Sequence, residues 1–178
     1  MPRHYVLVDR DGVVNVDLPG SVLRLGDFEL LPHVAEAIAQ INRKGYGVLI
    51  ITNQACIGRG ELSWAELDAI HSLMHKLVAR AGGRIEAVHV CPHVDEDGCA
   101  CRKPRPGLIQ QAQRQHDFAC ADTWMVGDAG RDIEAAVNAG CRPALVRTGQ
   151  GSTVAGADVP TFDDLRHFAA QLPPVRTS

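Results

Sequence analysis

Short apolar runs alternate along the chain with longer segments whose apolar positions recur every three or four residues, the rhythm of strands and helices. Tyr5–Val8 is one such run. It stops at Asp9-Arg10-Asp11-Gly12 and predicts a buried strand feeding a loop. Val34, Ala35, Ile38 and Ile41 recur at helical spacing, and Gly45 closes that helix. Residues 48–52, apolar and β-branched, predict a second buried strand. Ser63 and Glu66 form a capping box ahead of Leu67, Ile70, Leu73, Met74, Leu77 and Val78, an amphipathic helix ended by Gly82-Gly83. Residues 85–90 read as a third strand, and Pro106 opens a helix carrying Leu108, Ile109 and Ala112. Residues 123–126 form a fourth strand ending at Gly127-Asp128. Ile133, Ala136 and Val137 mark the next helix, stopped by Gly140. Residues 143–146 predict a fifth strand, and Thr161 with Asp164 caps a final helix.

Strands separated by helices imply parallel βαβ units. The expected fold is therefore α/β, a Rossmann-like three-layer sandwich around a mainly parallel sheet, built as one domain over residues 1–178. No interval is long enough for a separate cap domain; residues 12–32 supply only a short flap, so specificity should rest on loops.

Composition narrows the function. With 18 basic and 21 acidic residues the formal charge is −3, and only eight of 178 residues are aromatic. That offers neither an electrostatic footprint for nucleic acid or anionic membrane nor stacking platforms for bases. Mean hydropathy is close to zero, and no apolar run approaches the length of a membrane span. The N-terminus does not read as a signal peptide, so a reducing cytoplasmic setting is expected. A monomer is the plain expectation for an open site on a small chain.

The polar residues gather where open parallel sheets bind ligands, beyond the carboxyl ends of the strands. Strand one runs into Asp9 and Asp11, strand two into Thr52 and strand four into Asp128; Lys103 follows strand three. Any one aspartate after a strand can be an ordinary cap. Together they make an oxygen-rich set suited to Mg²⁺, with a lysine and a hydroxyl placed to hold a phosphoryl group. One carboxylate can attack phosphorus while the other moves protons.

Asp9-Arg10-Asp11-Gly12, Thr52-Asn53-Gln54, Arg102-Lys103-Pro104 and Gly127-Asp128 with Asp132 resemble, in order and placement, the four motifs of the haloacid dehalogenase-like superfamily. The resemblance implies Asp9 as nucleophile, Asp11 as general acid/base, and Thr52 and Lys103 as phosphoryl ligands. It also implies Mg²⁺ held by Asp9, the Asp11 carbonyl and Asp128. An acid at position 11 points to phosphate esters rather than halides. Loss of Asp9 or Asp11 would have favoured a non-catalytic phosphate-binding module, but both are present. A nucleic-acid end-processing phosphatase would want a basic channel, which the charge does not provide.

A second cluster, Cys91, His93, Cys99 and Cys101, is a Cys₃His set of the kind that closes around structural zinc. Ordinary buried thiols are the alternative, although the intervening Asp95, Glu96, Asp97 and Gly98 read as a polar loop. The expected zinc would pin the loop that presents Arg102 and Lys103. Within the superfamily this loop resembles two bacterial groups: the heptose 1,7-bisphosphate 7-phosphatases of lipopolysaccharide-core precursor synthesis and the histidinol-phosphate phosphatases. Asn15-Val16-Asp17, Ile57-Gly58-Arg59-Gly60 and Val146-Arg147-Thr148-Gly149 resemble the first group; the short spacer between His93 and Cys99 resembles the second. Resemblance places substrate contacts at Asp17, Leu18, Pro19 and Gly20, at Thr52, Asn53, Gln54 and Ala55, and at Arg102 and Lys103. Arg102 is either a cation for a second phosphate, which favours the phosphorylated sugar, or a surface arginine beside the thiolates. Asp17 is either a substrate contact or a turn residue. Ala129 stands where the heptose group commonly carries lysine, with Arg131 as the candidate substitute. His33, His71, His75 and His89 show no metal or triad spacing.

Overall fold

The structure, a computed structural model, describes residues 4–153 and 158–175; the remaining positions of the expected 1–178 domain lie outside the described residues. In chain order the elements are β1 (Tyr5–Val8), α1 (Val34–Arg43), β2 (Gly47–Asn53), α2 (Ala55–Gly58) and α3 (Trp64–Arg80). They continue as β3 (Ala87–Cys91), α4 (Gly107–His116), β4 (Trp124–Gly127), α5 (Gly130–Ala139), β5 (Arg142–Val146), β6 (Thr161–Phe162) and α6 (Leu165–Gln171). All six strands are parallel and lie in the order β3-β2-β1-β4-β5-β6.

Alternation along each strand sends side chains to opposite faces. Val6 and Val8 of β1, with Val48 and Ile50 of β2, join α1, α3 and α6 in one apolar layer. Tyr5 and Leu7, with Leu49 and Ile51, join α4 and α5 in the other. Both faces are thus covered, which is why the strands read as continuous apolar runs. The strand order reverses at the central strand β1, so the loops leaving β1 and β4 open the crevice in which such sheets bind ligands.

The Ser63–Glu66 capping box forms as the sequence predicts, with Ser63 Oγ accepting from the Glu66 amide. Several expectations shift. The third strand starts at Ala87, and Ile85 is buried just ahead of it. Pro106 sits one residue before α4 rather than inside it. Thr161 does not cap α6: it pairs with Leu145 as half of a two-residue sixth strand too short to leave a periodic signal, and Asp164 alone caps the helix. On α5 the buried stripe is Asp132, Ala135 and Ala136, with Ala139 against it, and Val137 is 60% exposed. The expected stripe of Ile133, Ala136 and Val137 is rotated from this by one residue. No helix is long and apolar enough to cross a membrane among the described residues.

Candidate active site

The chain leaves β1 through a tight turn in which the amides of Val13, Val14 and Asn15 all donate to the Arg10 carbonyl. Asp9 is thereby fixed against the neighbouring strand, its amide donating to Val126 at 2.9 Å, and its carboxylate Oδ1 accepts from the Arg10 amide at 2.7 Å. Lys103, although fully buried, has three partners: Asp9 Oδ1 at 2.8 Å, Asp132 Oδ1 at 2.7 Å and the Ile51 carbonyl at 2.8 Å. An unpaired ammonium at this depth would be strongly unfavourable; here the carboxylates of Asp132 and Asp9 outweigh burial and raise its pKa above the ordinary value.

Asp9, Asp128 and Asp132 present carboxylate oxygens within 4.8 Å of one another, all buried. Three carboxylates against one ammonium leave two formal negative charges. Burial first, then Asp132, push Asp9 up to about 7 against the opposing pull of Lys103. Burial first, with Asp132 and Asp17 adding, pushes Asp128 up to about 6. Asp128 Oδ2 accepts from the Gln150 amide at 2.8 Å, whereas its buried Oδ1 has no hydrogen-bond partner among the described residues. The carboxylate is cradled by glycine: a Cβ on Gly12 or Gly149 would fall 2.2 or 2.1 Å from Asp128 Oδ2. An orphaned, buried carboxylate oxygen in a doubly negative cluster fits a hard divalent cation. Asp132 fits less well as a direct ligand, because Lys103 and the Ala129 amide already engage its two oxygens.

Asp11 is held differently. Arg10 Nη2 donates to both its oxygens, at 2.8 and 3.0 Å, and Nε donates to Oδ1 at 3.2 Å. Asn15 Nδ2 and Gln54 Nε2 add bonds of 2.9 and 2.7 Å. Burial alone would raise this carboxyl, but Arg10 and these donors win, and it titrates below the usual range. Gln54 Nε2 also donates to Thr52 Oγ1 at 2.8 Å, tying the hydroxyl after β2 to the same network.

The cleft over these groups, about 180 Å³, is lined by Asp9, Asp11, Ser21, Asn53, Ala55, Arg59, Arg102, Lys103 and Arg131. The structure therefore brings Asp9, Asp11, Asn53, Ala55, Arg102 and Lys103 together. Thr52 and Gln54 lie buried beneath, and the flap reaches the cleft through Ser21 rather than Asp17, Leu18, Pro19 or Gly20. Asp17 accepts instead from Gln150 Nε2 at 3.2 Å. Arg102 pairs with Asp95. Arg59 lines the cleft and Arg10 holds Asp11, although neither was assigned a role from the sequence. Asp132, quoted there only within the fourth motif, pairs with Lys103, and Arg131, the candidate substitute for the missing lysine, does line the cleft. A larger cleft, about 550 Å³, lies between α3, the edge strand β3 and α4, away from these carboxylates.

The second cluster also assembles. Cys101 Sγ lies 3.2 Å from Cys91 Sγ, 3.5 Å from Cys99 Sγ and 3.3 Å from His93 Nδ1; Cys91 Sγ lies 3.7 Å from Cys99 Sγ and 3.6 Å from His93 Nδ1. These separations are too long for disulfides and match the edges of a tetrahedron with metal–ligand bonds of about 2.0–2.3 Å. All four donor atoms lie within 4.8 Å of one another.

A parallel sheet carrying a carboxylate–lysine cluster at its switch point defines the haloacid dehalogenase-like class of phosphoryl-transfer enzymes. The HAD-hydrolase-like family model matches residues 100–170. The chain is 39% identical over 176 residues to the D-glycero-beta-D-manno-heptose-1,7-bisphosphate 7-phosphatase of Pseudomonas aeruginosa, covering 97% of this chain and 99% of the relative. It is 41% identical over 172 residues to that of Bordetella bronchiseptica, covering 94% and 96%. The crystal structure of the B. bronchiseptica D,D-heptose 1,7-bisphosphate phosphatase complexed with magnesium and phosphate superposes with a TM-score of 0.90, at 39% identity, covering 94% of this chain and 97% of that one. The chain belongs to the D-glycero-D-manno-heptose-1,7-bisphosphate 7-phosphatase family.

Proposed function

We propose that this chain is a phosphoric monoester hydrolase that removes the C7 phosphate of D-glycero-D-manno-heptose 1,7-bisphosphate, in the cytoplasmic supply of lipopolysaccharide-core precursors. The observation that carries the reading is Lys103, clamped between Asp9 and Asp132 beside the orphaned oxygen of Asp128, with Asp11 facing the same cleft. Mg²⁺ would be held by Asp9, the Asp11 carbonyl and Asp128, and supplies the positive charge that lets a phosphate dianion approach these carboxylates.

In the proposed reaction a carboxylate oxygen of Asp9 attacks phosphorus and the bond to the C7 oxygen breaks. Asp11 gives its proton to that leaving oxygen, and Thr52 and Lys103 hold the other phosphoryl oxygens. Asp11, now a carboxylate, takes a proton from water, whose oxygen attacks phosphorus and releases phosphate from Asp9. Asp11 titrates low with Arg10 beside it; an incoming phosphate dianion raises it toward its task as an acid.

Arg102 and Arg131, lining the cleft from different segments, would take the C1 phosphate, with Arg131 standing in for the lysine replaced here by Ala129. A cationic substrate tail would meet repulsion there. The Cys91, His93, Cys99 and Cys101 cluster would hold structural Zn²⁺, fixing the loop from which Lys103 projects. The reading takes the chain as one domain acting as a monomer on a small phosphorylated sugar.

The test is phosphate release, with Mg²⁺, from heptose 1,7-bisphosphate, heptose 1-phosphate and histidinol phosphate side by side. Preference for the bisphosphate supports the reading, and preference for histidinol phosphate overturns the substrate while leaving the chemistry standing.

A further inference from the structure

Arg10 is completely buried, and its guanidinium faces two ways. Nε and Nη2 engage the Asp11 carboxylate, while Nη1 lies 3.3 Å from Nε2 of His71 on α3. A guanidinium nitrogen can only donate, so His71 Nε2 must be the unprotonated, accepting nitrogen and the ring must be neutral. Burial first, and the Arg10 charge second, hold the His71 pKa down to about 4, in keeping with that form.

From this geometry we infer that His71 is a positioning residue for catalysis, fixing the roll of the Arg10 guanidinium and through it the direction of the Asp11 carboxylate. The inference rests on the reading of Asp11 as the proton-transferring group. Among the described residues Arg10 meets no charged side chain but Asp11, so its orientation depends on what each end of the fork meets. If His71 offers no acceptor, Nη1 is a buried donor without a partner, and rotating the guanidinium to satisfy it breaks the paired bonds to Asp11. Proton transfer tolerates little misalignment: a displacement of about 1 Å can lower turnover by about 10²-fold. Substrate binding is spared, because neither His71 nor Arg10 lines the catalytic cleft.

The choice of variant matters. His71 also lines the 550 Å³ cleft between α3 and β3. Truncation to alanine would admit water, which can accept from Nη1 in its place. Leucine fills the volume without an acceptor, and glutamine supplies an oxygen where Nε2 stood.

The test compares steady-state kinetics on heptose 1,7-bisphosphate for the Mg²⁺-loaded wild type, His71→Leu, His71→Gln, Arg10→Lys and the Arg10→Lys/His71→Leu double variant, each checked for a cooperative thermal transition. Expected is a fall in kcat of about 10–100-fold for His71→Leu with KM within about twofold. His71→Gln should recover to within about threefold of wild type. The double variant should be no slower than Arg10→Lys alone, because both act through one contact. If His71→Leu does not fold, His71→Met takes its place with the same expectation. A folded Leu or Met variant with wild-type kcat, glutamine no better than leucine, or additive losses in the double variant would each overturn the inference. Asp11→Asn separates the two levels: inactivity there alongside an unimpaired His71→Leu rejects the positioning role alone, whereas an active Asp11→Asn rejects the reading of Asp11 itself.

Discussion

The Asn53 carboxamide grips the backbone of Lys103 at both ends, Nδ2 donating to the Lys103 carbonyl and Oδ1 accepting from its amide, each at 3.1 Å. Asn53 is the last residue of β2, so a rigid strand sets the position from which the Lys103 side chain reaches Asp9 and Asp132. Asn53→Ala should therefore lower kcat by about 10–100-fold, the usual scale for removing a partner that orients a site residue. Asn53→Asp keeps the acceptor and should lose less. Initial rates for the two variants check this; equal losses would point to a direct substrate contact.

How far the sequence carried this site depends on the residue. Asp9, Asp11 and Asp128 were legible because they follow buried apolar strands, and Thr52 because it closes one, since strand ends in a parallel sheet have a known side. Lys103, past the cysteine loop after β3, was legible through its motif. The Cys₃His set was legible from residue type and spacing alone. Asp132 was legible only as part of the fourth motif, without a role, and its contact with Lys103 is set by tertiary packing. Helix α5, rich in alanine, has a periodicity weak enough that its apolar stripe reads one residue out of register, with Val137 inside. Arg10 was quoted only as part of the first motif, with no role, because an arginine beside two aspartates is ordinarily solvent-exposed and only tertiary packing buries it against His71. The flap was placed by resemblance, whereas Ser21, at φ +84°, is the residue the turn swings toward the cleft.

Gly149 carries a separate prediction. It has φ +55°, and an added Cβ would sit 2.1 Å from Asp128 Oδ2 and 2.7 Å from the Gly12 Cα. Gly149→Ala should displace the Asp128 carboxylate and weaken Mg²⁺ binding by about 10–100-fold. The measurement is the Mg²⁺ concentration at half-maximal rate; an unchanged value would show that Asp128 does not hold the ion.

If the Cys₃His cluster holds zinc as proposed, removing the metal should act on stability and activity together. A structural site of this type contributes on the order of 10 kcal/mol of apparent binding energy, so Cys101→Ala or prolonged strong chelation should lower the melting temperature and release Lys103 from its loop. Metal analysis with thermal melting follows the loss. Full activity in protein shown to be zinc-free would contradict the assignment.

His89 provides a test at acid pH. Burial first, then His116, lower its pKa from 6.5 to about 4, and its Nε2 lies 3.2 Å from that of His116. A group whose folded pKa is depressed below its unfolded value binds more protons when unfolded. Its contribution is therefore whole above about pH 6.5 and is lost as pH falls toward 4. At pH 5 the loss is on the order of 1 kcal/mol after allowance for partial solvent contact, or about 2–4 °C in Tm for a chain of this size. Melting curves at pH 7 and 5 should show a smaller acid-induced drop for His89→Gln than for wild type; an equal drop would place the acid sensitivity elsewhere.

The covalent route is exposed by one substitution. Asp9→Asn keeps the shape and removes the nucleophile, so turnover should fall by about 10⁴-fold or more. Rapid-quench assays on all phosphate esters tested check it, and retained turnover with any of them would rule out attack by Asp9.

The central claim is the choice of phosphate, and phosphorus NMR of heptose 1,7-bisphosphate during turnover reads it directly. The account predicts loss of the C7 monoester resonance, growth of inorganic phosphate, and an anomeric C1 phosphate that persists to completion. Loss of the C1 resonance first, or of both together, would contradict it.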